Sequence, residues 1–355
     1  MQKRTRQLKD TFQFDSFNEK KKAVILGLLI LCLIAAVGIA LTQGAYTIPL
    51  LEVYKTLLVH LSPWAETGGI DRLYSTIVWE IRFPRILLSV LVGIALSSAG
   101  GVYQGCFRNP LVEPYILGVS SGAAFGASLA IVIPSFYFSM QLSAFIFGCV
   151  AVFGAYLLAR IKGETPIIML ILAGVIIGSI FSALVSVLEY VATDSALREI
   201  VFWLMGGFYY TTWSDIGLVV PIIAISFGVI WILSWKLNIL SMGDEEARTL
   251  GVHPELYKGI FIVAATLMTA ISVSAVGIIA WVGLMMPHAA RMIMGPDHRF
   301  MLPAAAVMGA IYLIVCDTLA RTLTSAEIPV GILTSVIGAP YLIFLIRSKG
   351  KLSFG

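Results

Sequence analysis

Charge is scarce in this chain: only 12% of its 355 residues are Asp, Glu, Lys or Arg, whereas 59% are hydrophobic. A soluble domain carries about 25% charged residues, so the composition excludes a soluble fold and favours a membrane protein. Uncharged stretches of about 20 residues, each long enough to cross a hydrocarbon core about 30 Å thick, recur along the chain. The clearest are residues 23–42, 86–107, 139–159, 167–188, 216–235 and 328–346, and two shorter ones are 114–133 and 302–316.

Cysteine is scarce as well, and no metal-binding pattern is present. The cysteines lie singly inside the predicted spans, without a Cys-x-x-Cys pair, which indicates small packing residues rather than redox or disulfide chemistry. His288 and His298 are ten residues apart with no carboxylate at ligand spacing. The sequence therefore predicts neither a metal nor a cofactor. The four cysteines are Cys32, Cys106, Cys149 and Cys316.

The chain also lacks the Gly-x-x-x-x-Gly-Lys-Ser/Thr loop that binds nucleotide phosphates, because its one Gly-Lys pair, Gly350-Lys351, is followed by leucine. It cannot energise transport through such a loop. An intramembrane enzyme would need a paired acid, a Ser/His dyad or a metal cluster in its core, and the sequence shows none. We therefore expect no enzyme and no nucleic-acid partner.

The number of spans depends on the 32 uncharged residues between Lys258 and Arg291. As one helix they would extend about 48 Å, well beyond the bilayer core, so two spans meeting near Gly277 are the alternative. With ten spans and both termini in the cytoplasm, 18 of the 24 Lys and Arg residues lie inside, which agrees with the positive-inside rule. The sequence thus predicts an all-α polytopic protein with about ten transmembrane helices.

The predicted organisation is a basic cytoplasmic tail (residues 1–22), one transmembrane domain (23–348) and a short cytoplasmic tail (349–355). Glycines at four-residue spacing, as in Gly118, Gly122 and Gly126, favour close helix packing. The alternative for these glycines is a helix that lines a translocation path.

Two arginines mark the predicted outer entrance of the second span. Arg82 and Arg85 are three residues apart around Pro84, and two guanidinium groups on one face can bind carboxylates bidentately. Anchoring of the span at the lipid headgroups is the alternative. Near another outer helix end, Asp317 and Arg321 are one turn apart and are expected to pair.

A short helix is predicted in the longest inner loop, over residues 243–252. Acidic residues in its first turn suit the positive end of the helix dipole, and Gly251 suits its end. Asp244 and Arg248 are spaced to pair with each other. Such a helix, held at the cytoplasmic face, is a natural docking element for another protein, although a solvated loop helix has the same pattern.

Taken together, several segments resemble the permease subunits of the FecCD-type family, the ABC importers of iron chelates and cobalamin. The resemblance runs in order from about residue 80 to 346. Its pieces are Arg82-Phe-Pro-Arg85, Gln104-Gly-x-x-Arg-Asn-Pro-Leu-x-x-Pro114, Leu117-Gly-Val-Ser-x-Gly122, Gly243-Asp-Glu-Glu-Ala-Arg-x-Leu-Gly-Val252, Val282-Gly-Leu-x-x-Pro-His-x-x-Arg291, Asp297-His-Arg299, Ile328-Pro-Val-Gly-Ile-x-Thr334 and Ile337-Gly-Ala-Pro340.

The resemblance implies a type II ABC importer permease fold in the cytoplasmic (inner) membrane. It implies a homodimer of this chain, two cytoplasmic ABC ATPase subunits and one extracytoplasmic substrate-binding protein. Docking of the binding protein would fall on Arg82, Arg85 and Arg321. A cytoplasmic gate region would include Lys162, Gly163, Glu164 and Thr165. The residues implied in coupling to the ATPase are Gly243, Asp244, Glu245, Glu246, Ala247, Arg248, Leu250 and Gly251.

The substrate implied is a metal chelate, such as a siderophore, heme or cobalamin, and small oxyanions are also compatible. Tyr190, Trp203, Tyr209 and Tyr210 near outer helix ends fit either a bulky ligand or the aromatic belt of a membrane protein. The main rival function is an ion-driven secondary transporter. That class places ionisable residues near the bilayer midplane, whereas residues such as Glu80 fall near predicted span ends here.

Overall fold

The computed structural model describes residues 2–44, 46–61, 71–324 and 326–348, and side chains over 19–44, 46–60, 71–324 and 326–343. The predicted tail 349–355 lies outside these residues. Within the described ranges the chain is helical and has no strand beyond a single bridge between Ile161 and Glu164. The α-helices there are α1 Gln2–Thr42, α2 Leu50–Leu61, α3 Arg72–Ser75, α4 Phe83–Cys106, α5 Val119–Val132, α6 Met140–Ala159, α7 Ile167–Val191, α8 Asp194–Met205, α9 Trp213–Ile232, α10 Ser234–Leu240, α11 Asp244–Thr249, α12 Pro254–Val276, α13 Val282–Met294, α14 His298–Thr322 and α15 Val330–Ser348.

Helices occupy all ten positions where the sequence predicts a span. In the described part of the chain, seven helices are long and apolar enough to cross a bilayer, and Val119–Val132 and Val330–Ile343 are shorter apolar helices. The expected break near Gly277 is confirmed, because α12 ends at Val276 and Gly277 has a φ of 71°. The thirteen residues of α13 extend only about 20 Å, so the count of ten crossings stays a prediction.

The first helix is longer than its predicted span. It begins at Gln2 rather than near residue 23, so the basic stretch 1–22 continues the span as helix from Gln2 onward. Lys22 lies over the ring of Phe300, 5.0 Å from its centroid, where α1 passes the start of α14. Only 11% of the apolar window of α1 is buried within the chain, which leaves most of this helix for lipid or another subunit.

Helix α4 is the centre of the bundle and packs against α9, α12, α13 and α14. Close backbone approach makes this possible, since a Cβ atom on Gly100 would overlap the carbonyl oxygen of Gly283 in α13. The predicted glycine repeat has the same role in α5. A Cβ atom on Gly122 or Gly126 would overlap a backbone oxygen of α6. Close helix packing through these glycines is therefore confirmed.

The outer connector between the first two predicted spans has more structure than the sequence indicated. It contains α2 and α3, and a π-helical segment, Thr76–Arg82, leads into α4. An aromatic cluster follows, in which Trp79 stacks on His60 with centroids 4.5 Å apart and Trp213 donates its indole N–H to the carbonyl of Trp79 at 3.1 Å. Helix α8, in the connector between α7 and α9, was not predicted from the sequence either.

Candidate functional site

The short helix predicted in the inner loop is present as α11. Gly243, with a φ of 148°, precedes it, and three acidic residues occupy its first turn, where the helix dipole favours negative charge. Gly251, with a φ of 74°, follows its end. Ala247 is fully buried against the bundle, whereas Leu250 is 57% exposed. The helix therefore packs on the bundle through Ala247, while Leu250, just after its end, presents an apolar side chain outward.

Ion pairs fix α11 to its neighbours, and they differ from the pairing expected from sequence. The predicted Asp244–Arg248 pair is wrong, because Lys258 in the first turns of α12 bonds Asp244 with Nζ and Oδ2 2.5 Å apart. The Lys258 side chain is only 6% exposed. Arg248 instead reaches Glu164, 2.7 Å away, in an exposed pair. The half-buried Lys258–Asp244 pair joins α11 to a long span, and the exposed Arg248–Glu164 pair joins it to the loop before α7.

That loop is the segment predicted as the cytoplasmic gate, and it forms a tight hairpin. Ile161 and Glu164 exchange backbone hydrogen bonds of 2.9 and 3.0 Å around Lys162 and Gly163. Both central residues have positive φ, 51° and 89°, as a two-residue hairpin turn of type I′ requires. Thr165 is buried and donates its backbone N–H to a carboxylate oxygen of Glu255 at 3.1 Å. The structure thus brings the segments predicted as gate and as coupling helix into direct contact.

A polar cluster at the turn between α13 and α14 was missed by the sequence reasoning. Asn238 of α10 donates to Asp297 at 2.7 Å and accepts the backbone N–H of His298 at 2.8 Å. Burial alone would raise the pKa of Asp297, but hydrogen bonds from Arg299 and Asn238 lower this pKa to about 2. The carboxylate is therefore ionised at neutral pH and ties α10 to α14. Among the described residues, no group of three or more His, Cys, Asp or Glu side chains could hold a metal ion.

At the opposite end of the bundle, a charged cluster joins α4, α14 and the segment before α15. Arg85 donates through Nε to Asp317 at 2.9 Å and through Nη1 to Glu327 at 2.8 Å. Arg321 approaches the other oxygen of Asp317 at 3.4 Å, so the expected Asp317–Arg321 pair is confirmed. Asp317 is 1% exposed, and Glu327 is 37% exposed. The cluster therefore has one buried and one accessible carboxylate.

Arg82 and the remaining donors of Arg321 bind the end of α1. Arg82 donates to the carbonyl of Leu41 at 2.7 Å, and Arg321 donates to those of Ala40 at 2.9 Å and Gln43 at 3.2 Å. A helix end leaves its last carbonyls without intrahelical partners, and these guanidinium groups satisfy them. Arg82, Arg85 and Arg321 are all less than 10% exposed. Their role in docking a binding protein stays a prediction.

Near this cluster a cavity of about 690 Å³, on the side predicted to be outer and called the outer cavity below, opens between α6, α8 and α12. Trp203, Tyr209 and Tyr210, noted from the sequence, line it, whereas Tyr190 lies on the surface and is 90% exposed. Glu327 of the charged cluster is also part of the wall. Other lining residues include Phe202, Arg198 and Glu199.

These features define an all-α polytopic membrane protein with the short exposed helix α11 at one end and a cavity at the other. The model of the FecCD transport family matches residues 28–348, and the chain belongs to this family. It is a membrane-spanning permease subunit of an ABC importer, a class in which the ATPase is a separate subunit. The fold class expected from the sequence is confirmed, and the family assignment replaces the secondary-transporter alternative.

Curated relatives carry several different substrate names. The chain is 39% identical to the molybdate import system permease protein MolB of Haemophilus influenzae over 321 residues, 89% of this chain and 93% of the relative. It is 40% identical to the cobalamin import system permease protein BtuC of Halobacterium salinarum over 282 residues, 79% and 76% of the two chains. It is 39% identical to the hemin transport system permease protein HmuU of Yersinia pestis over 328 residues, 90% and 93% of the two chains.

A solved structure of similar shape is an inward-facing conformation of an ABC transporter described as of metal-chelate type. It superposes with a TM-score of 0.82 at 36% identity and covers 92% of this chain and 99% of its own. The PsaBC complex of Streptococcus pneumoniae has a TM-score of 0.57 at 20% identity, with 78% and 95% covered, and supports the fold alone.

Proposed function

We propose that this permease works in the inner membrane as a homodimer with two cytoplasmic ABC ATPase subunits and one extracytoplasmic binding protein, and that it imports a metal chelate by alternating access. The observation that carries the proposal is the attachment of α11. Its ion pairs with Lys258 and Glu164 connect one exposed element to a long span and to the gate hairpin. ATP-driven movement of a partner that binds α11 would therefore be transmitted both to the span α12 and to the gate hairpin.

The ATPase contact is tested by pull-down of the detergent-solubilised chain from its native membrane, with mass spectrometry of the bound proteins. We expect an ATPase with a phosphate-binding loop to co-purify with the natural chain. Replacing Glu245, Glu246 and Arg248 together by alanine should remove most of this ATPase, because these side chains are on the exposed side of α11. Lys55→Met, which breaks an exposed pair in α2, is the control and should leave the ATPase bound.

Absence of any ATPase from the natural chain under gentle conditions would contradict the proposed assembly. Retention of the ATPase by the triple variant at natural stoichiometry would contradict the role of α11, without affecting the assembly itself.

Docking of the binding protein is proposed at the outer charged cluster. Because the arginines are buried and already bonded, an incoming carboxylate has to exchange with one of their present partners. Glu327 is the accessible partner of Arg85, and Asp317 is not accessible. Docking would therefore replace the Arg85–Glu327 bond and free a residue of the cavity wall.

This exchange predicts that Glu327→Gln strengthens binding of the binding protein by about three- to tenfold, equivalent to about 0.7–1.4 kcal/mol, because it removes a competing carboxylate. Glu80→Gln is the matched control, since Glu80 is an exposed acid on the π-helical segment before α4, outside the ion pairs described. Surface plasmon resonance with the permease in nanodiscs measures the affinities. Equal affinities for the two variants, or weaker binding of Glu327→Gln, would contradict the exchange.

A metal chelate is proposed as the substrate because the outer cavity combines several aromatic rings with charges of both signs. Aromatic faces bind flat or bulky apolar ligands, which a small oxyanion is not. The names of BtuC and HmuU agree with this class of substrate, whereas the name of MolB refers to molybdate. Uptake assays should show transport of cobalamin, hemin or a ferric siderophore. Transport of molybdate alone would contradict the proposal.

A further inference from the structure

The short helix α2 has apolar residues on two sides, although only one side packs on the protein. Val53 and Thr56 face inward and are 2% and 0% exposed. Leu50, Leu51, Tyr54 and Leu58 form an outer stripe and are 67%, 62%, 59% and 41% exposed. At about 100° per residue these four positions lie within one arc of the helix. The stripe is therefore a continuous apolar surface that no described residue covers.

The polar residues of α2 lie next to this arc rather than within it. Glu52 and Lys55 form an ion pair at 2.8 Å, with side chains 20% and 44% exposed. Successive residues of a helix are turned by about 100°, so the Lys55 side chain points about 100° away from that of Tyr54 in the stripe. An apolar stripe beside a charged edge is typical of a helix that lies in the plane of a membrane interface.

The stripe of α2 lies close to the exposed apolar surface of α1. Ile48 and Val53 belong to the same buried cluster as Ala40 and Leu41, the last residues of the α1 span. The backbone N–H of Ile48 donates to the carbonyl of Thr42 at 3.4 Å, which folds the chain back at this end. Helix α1 itself exposes apolar side chains, since only 11% of its membrane-spanning segment is buried within the chain. The stripe thus continues an apolar surface that reaches the same end of the span.

The surroundings of α2 also match the depth of a membrane interface. His60 near its end stacks on Trp79, and Trp79 and Trp213 have centroids 4.8 Å apart. Tryptophan is enriched at the boundary between hydrocarbon and water. The predicted inner side holds the basic N-terminal stretch, so this boundary is the outer one.

From this geometry we infer that α2 is an interfacial helix whose stripe of Leu50, Leu51, Tyr54 and Leu58 inserts into the outer leaflet of the bilayer. The partner of this surface is the lipid headgroup and upper acyl region, with Lys55 and Glu52 at the water side. Such anchoring holds the end of α1, where the carbonyl of Leu41 accepts a hydrogen bond from Arg82. The inference does not depend on the substrate or on the proposed partners.

Fluorescence quenching in vesicles tests this inference on the full chain. Tyr54→Cys and Lys55→Cys are made separately with Cys32 and Cys149 replaced by alanine, since Cys106 and Cys316 are buried. Each variant is labelled with an environment-sensitive dye and placed in vesicles of phosphatidylethanolamine and phosphatidylglycerol. Quenchers are aqueous iodide and lipids with a nitroxide on the headgroup, high on the acyl chain or near its end.

We expect the Tyr54 label to be quenched most by the headgroup and upper-chain nitroxides, at a depth of about 5–10 Å, and to be at least about threefold less accessible to iodide than the Lys55 label. Equal iodide access for both labels would overturn the inference. Shielding of the Tyr54 label without nitroxide quenching would also overturn it, in favour of a second copy of the chain. Shielding that appears only after the binding protein is added would overturn it in favour of that protein.

Discussion

Replacing Arg85 by methionine is expected to lower the free energy of unfolding by about 3–5 kcal/mol, the usual cost of removing one partner of a buried ion pair. Asp317 would keep its charge at 1% exposure, with only Arg321 at 3.4 Å to balance it. Glu327 would lose its bond, and the segment before α15 its tie to α4. Thermal unfolding of the purified chain in detergent measures the effect as a lower midpoint and a reduced folded yield.

The double variant Arg85→Met/Asp317→Asn separates the loss of charge balance from a simple loss of packing. It removes the buried carboxylate charge together with its partner, so we expect it to be more stable than Arg85→Met alone. Arg72→Met is the control at an exposed arginine of α3 and should have little effect. If the two substitutions lowered the free energy of unfolding additively, or if Arg85→Met were as stable as the natural chain, the cluster would not hold these helices together.

Replacing Lys258 by methionine is expected to reduce substrate uptake by at least about tenfold while the bound ATPase keeps hydrolysing ATP. The Lys258–Asp244 pair, 2.5 Å long and 6% exposed on the lysine side, joins α11 directly to α12. Because the Asp244 side chain is 31% exposed, losing its partner costs less than breaking a fully buried pair but more than losing the exposed Arg248–Glu164 pair, which contributes only about 0–1 kcal/mol. Uptake and ATP hydrolysis are measured on the same proteoliposomes, so that their ratio reports coupling.

Two further variants show whether this effect is specific to the pair. Lys258→Arg keeps the positive charge and should retain most of the uptake, which a mere change of side-chain volume would not explain. Lys55→Met removes a lysine from an exposed pair of the outer helix α2 and should leave the ratio unchanged. If Lys258→Met transported at the natural ratio, movement would pass from α11 to the spans by another route.

The sequence was sufficient for features that depend on neighbouring residues. Long apolar runs determine where the spans lie, and acids followed by Gly251 determine the limits of α11. The break near Gly277 was also predictable, because a single helix over the 32 uncharged residues would exceed the bilayer thickness.

Features that depend on distant parts of the chain were not predictable. Arg85 pairs with residues more than 230 positions away, so its burial could not be inferred from the motif that contains it. Asp244 had a local candidate in Arg248, but Lys258 lies closer once α12 folds against α11. The short helix α2 has apolar residues on more than one side and is too short to span a membrane. Neither a one-sided apolar pattern nor a span-length apolar run therefore identified it in the sequence.

We propose that this chain moves its substrate by the action of an ATPase bound at α11. The most direct measurement is uptake into proteoliposomes that contain the chain and its co-purified ATPase, with the binding protein and the chelate selected by the uptake assays. We expect uptake that requires ATP on the ATPase side and continues when ionophores collapse all ion gradients. Uptake that continues without ATP and follows an imposed ion gradient would contradict it.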